Sequence, residues 1–269
     1  MKVSTVYLNY NSADLLCKSI KPFLIPGGDH EIIIVDNGEY RDGKRVGLAA
    51  VIGENLVDKC KIIVNKDNKG FGVACNQAVS TALGEFVLFI NPDCFIEKKG
   101  VEIMLGDFSD KLGIGCMAPK LLDDRGQDLK WSSGNQPNIW DRMFLKKQSP
   151  QKSSVPSEFL EDALWISGAC FLIKRDLFIK LGGFDPSFFM YFEDQDLCLR
   201  IRKKGYRVVR HLGVTAVHLE SKSGISWRLR KRRYYASQSK FFKKHYGLFP
   251  TILMLTLRIP IYVKNVFFK

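Results

Sequence analysis

The sequence predicts an α/β fold in which helices flank a mostly parallel β-sheet. Short apolar segments at residues 3–8, 31–35, 61–64 and 86–90 alternate with segments of helical pattern, which is typical of parallel strands buried on both faces. The 269 residues are 46% hydrophobic and 26% charged, a globular composition that excludes a disordered or collagen-like chain. This length suits one large domain or two small ones.

The first half of the sequence predicts two helices between its strands and a set of polar residues at the strand ends. Asn11 or Ser12 can cap a helix that begins near Ala13, and a second helix covers residues 71–82, before Gly84. Because ligands bind beyond the carboxyl ends of parallel strands, the polar residues at those ends are candidates for a site. They are Asn9, Asp36, Asn68 and Asp93.

The second half is less regular. We expect a long loop at residues 119–160, an apolar strand at 165–173 and a short helix at 176–181. A longer helix is predicted at residues 193–204. It has acidic residues in its first turn, basic residues in its last turn and Gly205 as its stop.

The formal charge of +13 is concentrated at the C-terminal end. Residues 1–220 contain 29 basic and 28 acidic side chains, whereas residues 221–269 contain 12 basic and no acidic ones. A nearly neutral body therefore carries a cationic tail, in which the run RLRKRR at 228–233 precedes an apolar stretch at 248–263. That stretch is too short and too interrupted for a conventional membrane span.

The cysteines indicate a reducing compartment. Seven scattered cysteines without a C-x-x-C pair argue against a disulfide framework or a zinc ribbon. The first apolar run is also too short for the core of a signal peptide. We therefore expect a cytoplasmic protein with reduced thiols.

Asp93 follows an apolar strand and has two possible roles. Its carboxylate can hold a divalent cation that is bound mainly by phosphate oxygens. Alternatively, Asn91-Pro92-Asp93 is a simple turn, since all three residue types are common in turns.

Three carboxylates open the predicted helix at 193–204. They can simply complement the helix dipole. Asp196 has Arg200 four residues later and is expected to form an ordinary surface ion pair. Asp194 has no such cation, and its acidic neighbours are expected to raise its pKa toward that of a general base.

Three further signals are individually weak. His218 follows the apolar run 214–217 and is either a structural hydrogen-bonding residue or a metal ligand. The aromatic segment 182–191 is either core or a wall for a sugar or base. The NKGF sequence at 68–71 precedes a helix and can approach a phosphate.

Taken in order, the motifs are far more specific than any one of them. They are VYLNYNS (6–12), IVDN (34–37), NKGFG (68–72) with Asn76, FINPD (89–93), SGA (167–169), GGFD (182–185), FFMYFEDQDL (188–197) and His218. This series, over about residues 3–247, resembles the family 2 glycosyltransferases of the GT-A fold. The resemblance is greatest to the bacterial rhamnosyltransferases of O-antigen and cell-surface polysaccharide synthesis.

The resemblance implies an inverting transfer of a sugar, above all rhamnose from dTDP-rhamnose, to a hydroxyl of a lipid-linked or polysaccharide acceptor. It implies Mg²⁺ or Mn²⁺ as cofactor, with Asp93 and His218 as ligands, and Asp194 with Glu193 as the catalytic carboxylates. The residues that it implies on the sugar and acceptor side are Trp165, Gly168 and Ala169. The contacts that it implies for the nucleotide sugar are Asn9, Tyr10, Asn11, Asp36, Asn68, Gly70, Asn76, Asn91 and Asp93.

Two positions depart from the family pattern. Asn91 stands where the Asp-x-Asp element has its first aspartate, so one anionic contact to the metal is missing. Gly38-Glu39-Tyr40 replaces the more usual turn rich in alanine and serine, which leaves the recognition of the nucleotide open.

The resemblance also implies a division of the chain. Residues 1–220 would form the GT-A domain, with 1–98 as its nucleotide-sugar half and 99–220 as its acceptor and catalytic half. Residues 221–269 would form a basic amphipathic helical segment. Such a segment predicts peripheral docking on the anionic inner face of the cell membrane, although a helix packed on the body with its cations in water is an alternative.

Other functions remain open at this point. A related enzyme could use UDP-galactose, UDP-glucose or UDP-N-acetylglucosamine. Alternatives of another class are a non-catalytic nucleotide-sugar-binding protein and a nucleic-acid-binding protein. The second is disfavoured because no helix-turn-helix, RNA-recognition or zinc motif accompanies the basic run.

Overall fold

The computed structural model describes residues 2–24, 30–38, 59–108, 112–134, 158–220 and 226–267, with positions 40–41, 44–45 and 48. The strands of this part are β1 (Val3–Asn9), β2 (His30–Asp36), β3 (Tyr40–Arg41), β4 (Lys44–Arg45), β5 (Lys61–Val64), β6 (Phe86–Ile90), β7 (Cys94–Ile96), β8 (Ile114–Leu122), β9 (Ser133–Gly134), β10 (Leu160–Asp162), β11 (Trp165–Ile166), β12 (Cys170–Lys174) and β13 (Arg207–His218). The helices are α1 (Ala13–Ser19), α2 (Phe71–Val79), α3 (Lys98–Asp107), α4 (Arg175–Lys180), α5 (Glu193–Lys203), α6 (Trp227–Tyr246) and α7 (Leu248–Phe267). Short 3₁₀ turns lie at Lys21–Phe23 and Lys130–Ser132.

Nine strands form one sheet in the order β10-β13-β8-β12-β6-β1-β2-β5, with β7 beside β13. β1 runs parallel to β2 and β6, β2 runs parallel to β5, and β8 runs parallel to β13. β12 is antiparallel to both of its neighbours. The predicted α/β fold is therefore confirmed, and each of the four strands predicted in the first half is present within one residue at either end.

The sheet is buried on both faces, as its apolar strands predict. Successive residues alternate between two core clusters: Leu88 and Ile90 of β6 lie in one cluster, and Val87 and Phe89 lie in the other. Ile33 of β2 joins the second cluster. This packing fixes the carboxyl ends of β1, β2 and β6 at a common edge.

The prediction of a single strand at 165–173 is wrong, because this segment forms two strands, β11 and β12. β11 pairs with β9 in a separate two-stranded sheet, whereas β12 belongs to the main sheet. Residues 167–169 form the turn between them, and the carbonyl of Ala169 accepts a hydrogen bond from the Asn91 N–H at 2.8 Å. A local apolar pattern does not reveal such a turn, because residues on both sides of it are buried.

The long loop predicted at 119–160 is also partly wrong. β8 continues to Leu122, and a 3₁₀ turn and β9 follow at 130–134. Residues 135–157 of that prediction lie outside the described residues. The predicted helices at 71–82 and 193–204 are present as α2 and α5, with slightly earlier ends.

The C-terminal helices pack on the body through a third apolar cluster. Phe188, Phe192 and Leu199 of the body meet Phe241 and Phe242 of α6, and Met254 of α7 joins them. Helix α6 therefore packs on the body, as the alternative to membrane docking predicts. Among the described helices, none has the combined length and apolarity needed to cross a membrane. All seven cysteines lie in described residues, and none forms a disulfide.

Candidate active site

The ends of β1 and β2 carry the first predicted pair of site residues. Asn9 and Asp36 are opposite one another in the parallel register, and both are buried. Asp36 Oδ1 accepts a hydrogen bond from the Gly38 N–H at 3.1 Å. Its other oxygen, Oδ2, is buried and has no hydrogen-bond partner within the described residues. A buried carboxylate oxygen left in this state is suited to accept a bond from a ligand.

The turn after β1 shapes the adjoining surface. Asn9 Oδ1 accepts a hydrogen bond from the Ser12 N–H at 3.2 Å, and the Ser12 hydroxyl donates to the Tyr10 carbonyl at 3.0 Å. Asn11 has a left-handed backbone, with φ of 54°, which asparagine adopts more readily than most residues. These bonds hold the backbone that presents the Tyr10 side chain to the cleft described below.

Four neutral amide side chains, hereafter the amide network, fix the loop after β5. Asn37 Nδ2 donates to Asn68 Oδ1 at 2.8 Å, and Asn37 Oδ1 accepts from Asn65 Nδ2 at 2.9 Å. Asn65 and Gln77 exchange a further pair of bonds at 2.8 and 3.0 Å. The sequence singled out Asn68 but not Asn65 or Gln77, because nothing local marks a contact between a loop and the far side of α2.

Gly70 stands where the loop enters α2, and no larger residue fits there. Its φ is +81°, a left-handed value that favours glycine. A Cβ at this position would also strike the Phe189 carbonyl oxygen. The Phe71 N–H donates to that same oxygen at 2.9 Å. Gly70 thus lets the start of α2 touch the aromatic segment before α5.

Asp93 and His218 meet although 125 residues separate them in the chain. His218 Nε2 lies 3.2 Å from Asp93 Oδ1. The contact arises because β7 pairs with the end of β13, with Cys94 opposite His218. His218 Nδ1 is buried without a hydrogen-bond partner in the described part of the chain, and the imidazole packs edge-on to Trp131 with centroids 5.8 Å apart.

Asp194 is fixed by two backbone donors. Its Oδ2 accepts from the Gly168 N–H at 3.0 Å, and its Oδ1 accepts from the Gln195 N–H at 2.8 Å. Burial raises the pKa of the Asp194 carboxyl above its ordinary value, although both hydrogen bonds oppose the rise. The pKa of Asp194 is thus raised, as predicted, but the main cause is burial and not the acidic neighbours.

Glu193 shares the raised pKa. Its side chain is only 6% exposed, and Oε2 has no hydrogen-bond partner among the described residues. Burial raises the pKa of Glu193 well above its ordinary value, and the charges of Asp194 and Asp196 add to the rise. Burial thus disfavours the charged form of the carboxyl that adjoins the candidate base.

Asp196 does not form the surface ion pair that its spacing predicts. Its carboxylate is fully buried and has three side-chain partners. Besides Arg200 Nε at 2.8 Å, these are Lys244 Nζ at 2.6 Å and His245 Nε2 at 2.7 Å. The predicted pair with Arg200 is therefore present, but it is buried rather than on the surface, and the two further partners come from α6, far along the chain. This group, hereafter the Asp196 cluster, ties α6 to the helix that carries Asp194.

The backbone before α5 is strained. Tyr191 and Phe192 have φ of 70° and 68°, a left-handed conformation that costs about 1–3 kcal/mol for each non-glycine residue. Phe192 is buried in the third apolar cluster, and the Ser237 hydroxyl of α6 donates to the Met190 carbonyl at 2.7 Å. These contacts hold the strained turn in place, and such strain is concentrated at functional sites.

A cleft of about 340 Å³ lies between the strand ends around Tyr10 and Asp93 and the helix α6. Its walls combine strand ends, the aromatic segment before α5, the end of β13 and α6. The lining residues are Leu8, Tyr10, Ser12, Asn37, Asn68, Gly70, Phe71, Asn91, Pro92, Asp93, Phe189, Met190, Tyr191, His218, Glu220, Arg230 and Arg233. The sequence had singled out six of these as individual site residues, namely Tyr10, Asn68, Gly70, Asn91, Asp93 and His218, and it gave no sign of Glu220, Arg230 or Arg233 as part of the site.

The other predicted site residues are not part of the described lining of the cleft. They are Asn9, Asn11, Asp36, Asn76, Trp165, Gly168, Ala169, Glu193 and Asp194. Gly168 bridges the two regions, since a Cβ there would lie 3.4 Å from Phe71 and 3.6 Å from the Cβ of Asp194. Trp165 is buried in the second core cluster. The amide of Asn76 is fully engaged with the backbone of Phe184, donating at 2.8 Å and accepting at 2.9 Å.

Comparison with known families gives matches over nearly the whole chain. Residues 4–193 match the family described as Glycosyl transferase family 2, and residues 121–268 match Glycosyl transferase family group 2. The first match alone covers well over half of the chain and includes Asp36, Asp93 and Glu193.

Two relatives carry rhamnosyltransferase names. The N-acetylglucosaminyl-diphospho-decaprenol L-rhamnosyltransferase of Mycobacterium tuberculosis is 28% identical over 216 residues, which are 71% of this chain and 67% of the relative. Rhamnosyltransferase WbbL of Escherichia coli K12 is 27% identical over 161 residues, which are 55% of this chain and 60% of that protein. The matched region is thus about two thirds or less of their length.

Solved structures share the fold. GalNAc-T7 with UDP, GalNAc and Mn²⁺ superimposes with a TM-score of 0.64 at 16% identity, covering 83% of this chain and 44% of that one. The mannosyltransferase PcManGT of Pyrobaculum calidifontis, with GDP-Man and Mn²⁺, gives 0.61 at 16% identity, covering 98% and 70%. At such identity, the likeness concerns the fold alone.

Proposed function

The chain belongs to glycosyl transferase family 2, and we propose that it transfers a sugar from a nucleotide diphosphate to a hydroxyl of a lipid-linked or polysaccharide acceptor, with inversion at the anomeric carbon. The observation that carries the proposal is the cleft, which brings strand-end residues such as Tyr10 and Asn68 together with Asp93 and His218. We further propose that residues 1–98 serve the donor, 99–220 serve the acceptor and catalysis, and 221–269 serve docking.

The donor in this proposal is dTDP-rhamnose. The support is the printed names of the mycobacterial and E. coli relatives, at 28% and 27% identity. The mycobacterial name also supports a lipid diphosphate acceptor, since it specifies a diphospho-decaprenol. UDP-galactose, UDP-glucose and UDP-N-acetylglucosamine are the alternative donors.

The nucleoside would occupy the part of the cleft near the ends of β1 and β2. Asp36 would accept a hydrogen bond from the base through its unpartnered Oδ2, and Asn9, Tyr10, Asn11 and Asn68 would complete the pocket. Gly70 would allow the close approach of the loop. Asn76 would act by positioning Gly183 and Phe184, since its amide bonds to Phe184.

Asp93 and His218 fit a divalent cation that retains phosphate oxygens among its ligands. One carboxylate and one imidazole nitrogen suit Mn²⁺, and Mg²⁺ also accepts a carboxylate with phosphate ligands. The described residues include no cluster of three or more metal-ligating side chains, so in this proposal the phosphate oxygens of the donor supply the remaining ligands. When bound, such a cation would stabilise the charge that gathers on the leaving diphosphate. Asn91 would orient the same turn.

Asp194 would take the proton of the acceptor hydroxyl as that oxygen attacks the anomeric carbon. The bonds from Gly168 and Gln195 hold the carboxylate in place, and its raised pKa strengthens it as a base. Glu193 would support the base from a buried position. Trp165 would shape the acceptor side from behind, and Gly168 and Ala169 would line it directly.

A screen of nucleotide sugars tests this function. Purified protein is incubated with each donor, with and without Mg²⁺ or Mn²⁺, and thermal stabilisation and release of nucleoside diphosphate are measured. We expect stabilisation and release with dTDP-rhamnose, each dependent on the cation, and weaker cation-dependent binding by Asp93→Ala in calorimetry. The absence of both signals with every donor would contradict the proposal.

Docking of the C-terminal segment on an anionic membrane is a second proposal, supported by the surface of α7. Between Leu248 and Ile259, apolar side chains make up most of the exposed residues, and Phe249 and Ile252 are 77% and 49% exposed. Basic side chains of α6, such as Lys240 and Lys243, are exposed in the same C-terminal segment. Apolar and cationic groups in one segment are typical of a helix at a lipid interface.

Sedimentation with vesicles tests the docking proposal. We expect binding to vesicles rich in phosphatidylglycerol and its loss when Phe249→Glu and Ile252→Glu are combined. Leu83→Glu is a matched control, because Leu83 is 69% exposed on the body. Equal binding by both variants would remove the proposal.

A further inference from the structure

Two arginines of α6 line the same cleft as Asp93 and His218. Arg230 and Arg233 are three residues apart in the helix, so they share one face. The basic run at 228–233 is therefore divided. Arg228 and Arg232 are exposed and are not part of the described lining of the cleft.

Contacts with the aromatic segment fix the direction of this face. The guanidinium carbon of Arg233 lies 4.5 Å from the centroid of the Phe189 ring. Arg230 and Arg233 are both close enough to the Tyr191 hydroxyl to oppose the rise in pKa that burial gives it. The hydrogen bond from Ser237 to the Met190 carbonyl holds the helix against the same segment.

One N–H group of Arg230 is available to a ligand. Its Nε is buried and has no hydrogen-bond partner among the described residues. A buried N–H without an acceptor destabilises the folded protein unless a ligand or water accepts a hydrogen bond from it. Asp93 and Glu220 also line the cleft, and the two guanidinium groups offset their charge, so the cleft can admit an anion.

We propose that Arg230 and Arg233 bind a diphosphate group in the cleft, which makes α6 a part of the active site. The planar guanidinium presents paired N–H donors that match phosphate oxygens. The proposal rests on the proposed function, because the diphosphate would be that of the nucleotide donor or that of a lipid-linked acceptor. Both sources offer the same chemistry, and they are separated by experiment.

Calorimetry with inorganic pyrophosphate tests the arginine pair. We expect the double variant Arg230→Ala/Arg233→Ala to lose at least about tenfold in affinity, as for lost charged hydrogen bonds. The matched control is Arg228→Ala/Arg232→Ala, which removes the same charge from the exposed face of the same helix and should stay within about twofold of the wild type. Thermal unfolding checks that both variants fold.

Two further measurements assign the source of the diphosphate. If affinity for thymidine diphosphate falls in the cleft variant alone, the arginines bind the donor. If that affinity is unchanged and the KM for a polyprenyl-diphosphate acceptor rises, they bind the acceptor. Arg230→Lys/Arg233→Lys, which keeps the charge but loses the paired donors, should give an intermediate loss and serves if the alanine variant does not fold.

The proposal is overturned if pyrophosphate affinity is equal in the cleft and control variants, or if neither the donor nor the acceptor measurement changes. Its failure is distinct from failure of the proposed function. Pyrophosphate binding needs no sugar transfer, so a wild-type protein that consumes no donor would contradict the function and still test the arginines.

Discussion

The two sides of the cleft are held by different forces. On the side of the strand ends, the amide network joins the loop after β5 to α2 and to Asn37, which follows β2, through neutral hydrogen bonds. On the opposite side, the Asp196 cluster joins α6 to α5 through buried charges. Neutral bonds keep their strength over a wide range of pH, whereas the charged contacts depend on the ionisation of one carboxylate. The difference indicates that the arrangement of α6 is the more sensitive to conditions.

Removing the Asp196 carboxylate is expected to have the largest effect on stability. Asp196→Ala removes the buried carboxylate that Arg200, Lys244 and His245 share, which should lower the free energy of unfolding by about 3–5 kcal/mol. Denaturant titration measures this change. Asp185→Ala is the control. Asp185 also pairs with Lys244, at 2.7 Å, but is partly exposed, so a loss of at most about 1 kcal/mol is expected. Equal losses would show that burial of the charges does not matter.

Breaking the amide network is expected to have a smaller effect, and one that is independent of pH. Asn37→Ala removes the acceptor of one N–H of the Asn65 amide, which keeps its bond to Gln77, and the acceptor of the Lys69 N–H. This loss should cost about 1–3 kcal/mol. Denaturant titrations at pH 5 and pH 8 should give the same loss. A loss that changes strongly between the two pH values would mean that the amide network also depends on charge.

The smallest expected effect is that of mild acid on the Asp196 cluster. Burial alone would raise the pKa of Asp196, but the hydrogen bond from His245 and the charges of Arg200 and Lys244 outweigh it and hold the pKa below its ordinary value. The stability it contributes is therefore complete above the ordinary pKa of about 3.9 and is lost as pH falls toward the lowered value.

The difference in unfolding free energy between wild type and Asp196→Asn should shrink below about pH 4, by less than about 1.4 kcal/mol per pH unit. Denaturant titrations from pH 6 to pH 3 measure it. A difference that grows in acid would contradict the direction of the shift.

The sequence predicted much of the fold because the central strands carry local signals. Their apolar runs and polar ends are short patterns, and parallel pairing brings Asn9 and Asp36 to one edge with little further information. Asp93 could be placed in the same way. Its contact with His218 depends on the pairing of β7 with β13, which no local pattern specifies, so only the family resemblance suggested it.

The predictions that were wrong concern contacts between distant parts of the chain. Helical spacing gave Asp196 one partner, Arg200, and could not supply Lys244 or His245, which tertiary packing brings to it. The same packing turns Arg230 and Arg233 inward while Arg228 and Arg232 remain exposed. The sequence alone suggests one basic surface, but in the helix the basic side chains point to two different faces.

The most direct test of the account is the turnover of Asp194→Asn, with Asp176→Asn as a control on an exposed carboxylate of α4. Donor consumption in the presence of acceptor and calorimetric binding of the nucleoside diphosphate are measured side by side. The account predicts that Asp194→Asn loses about two to four orders of magnitude in turnover while nucleoside diphosphate binding stays within a few-fold of the wild type, and that the control retains both. Turnover like that of the wild type in Asp194→Asn would contradict the account.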